Sequence, residues 1–92
     1  MKSILQSEKE CYICGAKTNL ECHHIFAGNP LRKISEQNGF KVYLCHFCHN
    51  EPPGGVHFNK VASDILKAEC QKKYEETHTR GEFMKLIGRN YL

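Results

Sequence analysis

Glu21-Cys22-His23-His24-Ile25-Phe26 is the stretch on which the reading of this chain turns. It lies between Cys11-Tyr12-Ile13-Cys14 and Cys45-His46-Phe47-Cys48, and His49 follows the second pair directly. Two Cys-x-x-Cys turns separated by 30 residues have the spacing of one structural zinc site. A tetrahedral ion takes two thiolates from each turn and so ties together two distant parts of the chain. Four thiolates close the coordination shell, so that ion is expected to be structural and not catalytic. The histidine pair then occupies a short segment held by metal at both ends.

A chain of 92 residues makes one domain whose core is small, and a structural metal is a usual remedy. The six cysteines could instead form three disulfides. Against this, Met1-Lys2-Ser3-Ile4-Leu5-Gln6 lacks the apolar centre of an export signal, and paired Cys-x-x-Cys in a cytosolic chain reads as metal binding. A thioredoxin-like redox motif would need a βαβ pattern that the sequence does not carry. No apolar run approaches membrane-spanning length, so a cytoplasmic setting without a membrane partner is expected. The net charge of +3 permits contact with nucleic acid but does not demand it. The crowding of His23, His24, His46 and His49 around the cysteines says more.

Residues 1–10 are polar apart from Ile4-Leu5 and read as a flexible arm or an irregular lead-in preceding a single domain over 11–92. Leu20 to Phe26 alternates as a strand, which sends His23 and His24 to opposite faces unless the strand ends or bulges there. Asn29 as N-cap, Pro30 at the first helical position and Gly39 beyond the end outline a helix over 30–38. Phe40 to Leu44 reads as a second strand that delivers Cys45. The loop Asn50-Glu51-Pro52-Pro53-Gly54-Gly55 precedes a longer helix, from Val56 or Phe58 to Glu76. Its expected apolar stripe is Phe58, Val61, Ala62, Ile65, Leu66 and Ala68, with Lys60, Asp64, Lys67, Lys72 and Lys73 facing water. Thr79-Arg80-Gly81-Glu82 is a capping box that opens a last helix over 79–88, closed by Gly88. The domain core is thus placed at 11–76. Cys22 and Cys70, which have no spacing partners, are expected to be small buried hydrophobes.

In this arrangement the sequence resembles the HNH endonucleases, in the zinc-stapled form common among phage and bacterial proteins. The resemblance rests on Cys11-x-x-Cys14, Cys22-His23-His24-Ile25-Phe26 and Val42-Tyr43-Leu44-Cys45-x-x-Cys48-His49. Arg32, Ser35, Gly39 and Gly55-Val56-His57-Phe58 look like a phage-encoded subgroup. It implies an α+β fold, a small ββα-metal domain with additional C-terminal helices. It also implies a phosphodiester hydrolase acting on DNA with a divalent ion, Mg2+, Mn2+ or another, beside the structural zinc. His24 would be the general base, and His23 and His49 would bind the catalytic ion. His57 would complete that set, or else serve as a helix-start residue or a phosphate contact. A histidine titrates near pH ~6.5, so a neutral ring is available at cellular pH to accept a proton.

Arg32, Lys33, Lys41 and Lys60 are candidate phosphate contacts, which would position DNA without reading its sequence; each could equally be a solvated charge. His46 inside the second pair and His78 in a turn are expected to face solvent. Two other readings compete. One is a non-catalytic zinc module that binds nucleic acid or a protein partner, phage or bacterial. The other is a nucleobase deaminase, but its His-x-Glu should precede the cysteine pair, whereas His49-Asn50-Glu51 follows it. Target specificity, nicking against double-strand cutting, and oligomeric state are not written in the sequence.

Overall fold

The computed structural model describes residues 2–92. Its order is β1 (Leu20–His24), α1 (Leu31–Asn38), β2 (Lys41–Cys45), α2 (His46–Asn50), α3 (Lys60–Tyr74) and α4 (Arg80–Ile87). β1 and β2 pair antiparallel, with Leu20 opposite Cys45, His23 opposite Val42 and His24 opposite Lys41. Among the described residues the result is a small mixed α/β domain: one two-stranded sheet, four helices, and a cluster of four cysteines compatible with zinc. Among the described residues no helix is long and apolar enough to cross a membrane.

The β1 strand ends at His24, two residues earlier than the alternation suggested. Ser35 supplies the reason. Its buried hydroxyl donates to the Phe26 carbonyl (2.8 Å) and accepts from the Phe26 N–H (3.2 Å). Both polar groups of Phe26 are therefore satisfied by α1 and need no further ladder partner. The phenyl ring turns inward and meets Phe40 and Phe83 edge-on, each at 5.7 Å between centroids. All three phenylalanines are fully buried, and burial of such a ring contributes about 1.5–3 kcal/mol. Tyr74 from α3 closes the cluster against Phe40 at 5.4 Å.

Three boundaries differ from the sequence reading. Residues 2–10 form no helix or strand, yet they are docked and not a free arm. The Ile4 N–H donates to the Gly39 carbonyl (3.0 Å) and Gln6 Oε1 accepts from the Tyr43 N–H. Gly39 caps α1 at φ 73°, and a Cβ there would lie 2.9 Å from the Lys2 carbonyl oxygen. Pro30, not Asn29, precedes α1, and no side chain caps that end. α3 begins at Lys60, with Asn59 Oδ1 accepting from the Ala62 N–H (3.0 Å); residues 55–58 are committed to a turn described below.

The expected apolar stripe of α3 is rotated. Phe58, Val61 and Ile65 are 58 %, 69 % and 56 % exposed, whereas Leu66, Cys70, Gln71 and Tyr74 are buried. Gln71 can sit in the core because each of its polar groups is used. Nε2 donates to Glu75 Oε2 (2.7 Å) and Asn90 Oδ1 (2.8 Å), and Oε1 accepts from the Tyr91 N–H (2.7 Å). The amide thus fastens residues 90–91 to the middle of α3. At the other end of the turn, Thr79 and Glu82 form the expected capping box of α4.

Candidate metal centre and active site

The four cysteines converge. Cys11, Cys14, Cys45 and Cys48 offer sulfurs that all lie within 4.8 Å of one another, and Cys14 Sγ is 3.6 Å from Cys45 Sγ. Thiolates about 2.3 Å from one tetrahedral zinc stand ~3.8 Å apart, so the donor set fits that ion. Burial pushes the Cys11 thiol up, but the N–H groups of Cys14, Cys45 and Ile13 outweigh it and hold the thiol at about 6. Cys48 is pushed upward, first by burial and then by the other three sulfurs. A cation among them relieves that crowding of charge. The lone cysteines divide: Cys70 is fully buried as expected, whereas Cys22 is exposed on β1.

A second cluster stands beside the first. The ring nitrogens of His23, His49 and His57 lie within 4.8 Å of one another. His49 Nε2 is 3.2 Å from His23 Nδ1 and 2.9 Å from His57 Nε2. Imidazole nitrogens about 2.1 Å from one ion stand roughly 3.0–3.4 Å apart, so these three could hold a divalent ion. His23 is buried, and burial first, then the nearby His49 and His57, lowers its pKa to about 3. It is therefore neutral and able to ligate over the whole physiological range. The pKa of His57 is lowered as well, again by burial first.

His57 precedes α3 and does not belong to it, and a backbone device brings it to the cluster. The Pro-Pro-Gly-Gly loop doubles back on α2: the Gly55 N–H donates to Glu51 O (2.7 Å), Val56 to Cys48 O (2.8 Å) and His57 to His49 O (3.3 Å). Gly55 permits this approach. A Cβ there would lie 2.9 Å from both the nitrogen and the oxygen of Glu51 and 3.0 Å from the carbonyl carbon of His49.

Two carboxylates that sequence reasoning missed organise the rings. Glu21 Oε1 lies 2.7 Å from His49 Nδ1 and accepts from Asn50 Nδ2 at 2.9 Å, while Oε2 is 3.2 Å from His46 Nδ1. His49 and then His46 hold the Glu21 carboxyl below its ordinary range. His46 is exposed as expected, yet it spans Glu21 and Glu51. Glu36, on α1, places Oε2 at 2.9 Å from His24 Nε2 and at 2.7 Å from Lys41 Nζ. Lys41 and then His24 keep that carboxyl ionised well below the usual range.

The candidate phosphate contacts fall in different places. Arg32 and Lys33 line a groove of about 690 Å³ with His24, Gly28 and Glu36. Lys41 departs from the expectation: it is 7 % exposed, with its ammonium held by Glu36. From β2 its side chain reaches α1, where Glu36 holds the ammonium. Lys60 is exposed and paired to Asp64. His78 stacks on Tyr74 with ring centroids 4.0 Å apart. His23, His24, His49 and His57 all line one smaller cleft, with Arg32 at its wall. The adjacent histidines of β1 therefore reach the same cleft while keeping different partners. No family model, curated protein or solved structure matches this chain.

Proposed function

We propose that this protein is a metal-dependent endonuclease of the HNH kind, hydrolysing DNA phosphodiester bonds with His24 as general base. The observation that carries this reading is the shared cleft of His24, the three-histidine cluster and Arg32. That combination puts a proton acceptor, a cation-binding donor set and a phosphate-binding guanidinium within one substrate's reach. The ββα-metal architecture belongs to the same reading, supported by two antiparallel strands followed directly by α2, which carries His49.

The residues divide the work as follows. With Glu36 Oε2 accepting a hydrogen bond from the Nε2–H of His24, Nδ1 of that ring carries the lone pair that removes a proton from water. Lys41 fixes Glu36 in that position. His23, His49 and His57 would hold a divalent ion, which supplies charge stabilisation at the phosphate and at the departing oxygen. Glu21 Oε1 accepts a hydrogen bond from the Nδ1–H of His49 and so leaves Nε2 of that ring free to face the cluster. Arg32 pairs with phosphate oxygens beside the bond to be cut.

Deamination fits poorly, because the cysteines form a closed set of four and Glu51 is engaged by His46. Plasmid nicking tests the proposal. Supercoiled DNA is incubated with the protein and Mg2+, Mn2+ or Ni2+, beside His24→Ala. Metal-dependent nicking by the native chain and its loss in the variant are expected. DNA binding without nicking under any ion would favour the interaction module instead.

A further inference from the structure

A second groove runs from His23 and His57 along α3 to Arg89, and its basic end takes no part in the cleavage chemistry above. It holds about 500 Å³, is lined by Lys60, Ser63, Lys67 and Arg89 among others, and opens onto His23 and His57. The Arg32 groove meets the same cleft from the His24 side. The histidine cluster therefore lies between two basic grooves.

Lys67 and Arg89 are 22 positions apart in sequence, and their meeting is built, not incidental. The buried Gln71 amide anchors Asn90 and Tyr91 against α3. The Tyr91 ring then carries both cations, Arg89 at 4.9 Å and Lys67 at 5.6 Å from its centroid. Asp64 is the acidic member of the groove, and Lys60 matches it. Among the described residues neither Lys67 nor Arg89 forms an ion pair with a carboxylate; both still act on Asp64 through space, and three cations against that one carboxylate leave the groove positively charged. Ser63 and Asn59 add polar groups along the same wall.

We propose that this groove is a second phosphodiester-binding arm, which seats the DNA backbone on the opposite side of the histidine cluster from Arg32 and Lys33. The inference rests on the nucleic-acid reading above and deepens it. A strand gripped on both sides of the cluster presents an internal bond, which favours cutting within a chain over trimming its ends. Recognition by two cations and hydroxyl or amide groups is recognition of phosphate, without sequence.

Salt-dependent binding tests this separately from cleavage. Anisotropy of a fluorescein-labelled duplex is measured at several salt concentrations without added divalent ion, for the native chain, Lys67→Ala, Arg89→Ala and Arg89→Lys. Each alanine variant is expected to reduce the slope of log K against log salt by about one, and Arg89→Lys to restore it. Lys72→Ala, on the exposed side of α3, serves as the control. Unchanged slopes in Lys67→Ala and Arg89→Ala, or an equal loss in Lys72→Ala, would overturn the proposal. Reduced slopes in a protein that nicks nothing would uphold the groove while removing the nuclease reading.

Discussion

Glu21 Oε1 lies 2.7 Å from Nδ1 of His49 and thereby decides which nitrogen of that ring faces His23 and His57. A carboxylate behind a ligating imidazole fixes its tautomer and raises its basicity, and loss of such a partner typically costs 10–100-fold in metal affinity. Glu21→Ala is therefore expected to weaken Mn2+ or Ni2+ binding at the histidines by about that factor in calorimetry. Zinc expected at the four cysteines should be retained in full. Unaltered affinity would show that His49 orients itself without help.

Gly55→Ala tests the loop that returns the chain to α2. The added methyl meets backbone atoms of Glu51 and His49 at 2.9–3.0 Å, and backbone cannot swing aside as a flexible side chain can. Overpacking of this kind costs about 1–3 kcal/mol. Thermal unfolding should occur at lower temperature, and the second ion should bind more weakly because His57 is displaced. A variant with native Tm and native affinity would refute the role given to this turn.

Glu36 is expected to act through His24 and not through DNA. Glu36→Ala should lower kcat for plasmid nicking by about 10- to 100-fold with little change in KM, a part of the ~10²–10⁴-fold that a positioned base supplies. Lys41→Met should move kcat in the same direction, since Lys41 holds the carboxylate. A rise in KM at constant kcat would recast Glu36 as a substrate contact.

Zinc removal should abolish the fold. Apparent binding energies of structural zinc sites are about 10–16 kcal/mol, as large as the whole stability of an ordinary domain. Elemental analysis is expected to find about one tightly held zinc per chain. Cys48→Ser, or prolonged chelation, should eliminate the cooperative unfolding transition seen by circular dichroism. A sharp transition in zinc-free protein would contradict the staple.

The burial of His23 has a consequence for acid stability. Its folded pKa is about 3, whereas the unfolded chain binds the proton near pH ~6.5. Below that value the unfolded state holds more protons, so this contribution to stability is complete above about 6.5 and is lost as pH falls toward about 3. Urea unfolding midpoints of the zinc-loaded protein should decline more steeply between pH 7 and pH 5 than those of His23→Gln, which has no ring to protonate. Parallel declines would show that other groups dominate.

The four cysteines and the strand pair that brings them together were legible because spacing and alternation survive without tertiary information. The same holds for the Thr79–Glu82 capping box, which is a local pattern. Glu21 and Glu36 were not legible: a carboxylate on a strand or short helix has the signature of any solvated charge until its histidine partner is placed. The phase of α3 was misread for a related reason. Gln71 and Cys70 count as polar or neutral in an apolar stripe, yet both are fully buried, while Val61 and Ile65 with the right spacing face outward. Only the contact with Asn90 and Tyr91 makes the buried amide tolerable, and that contact spans about twenty residues. The return of His57 to His49 likewise depends on the backbone bonds of residues 55–57 to α2, which residue spacing alone does not show.

Cys48 and His49 are consecutive residues of α2, so a single peptide unit joins the thiolate cluster to the imidazole cluster. Cys14, by contrast, is open to solvent. An oxidant or alkylating reagent that attacks Cys14 would eject the staple ion, slacken α2 and carry His49 away from its two ring neighbours. On the nuclease proposal, thiol chemistry would then extinguish cleavage without acting on any group assigned to the reaction, and the redox state of the surroundings would become a condition on it.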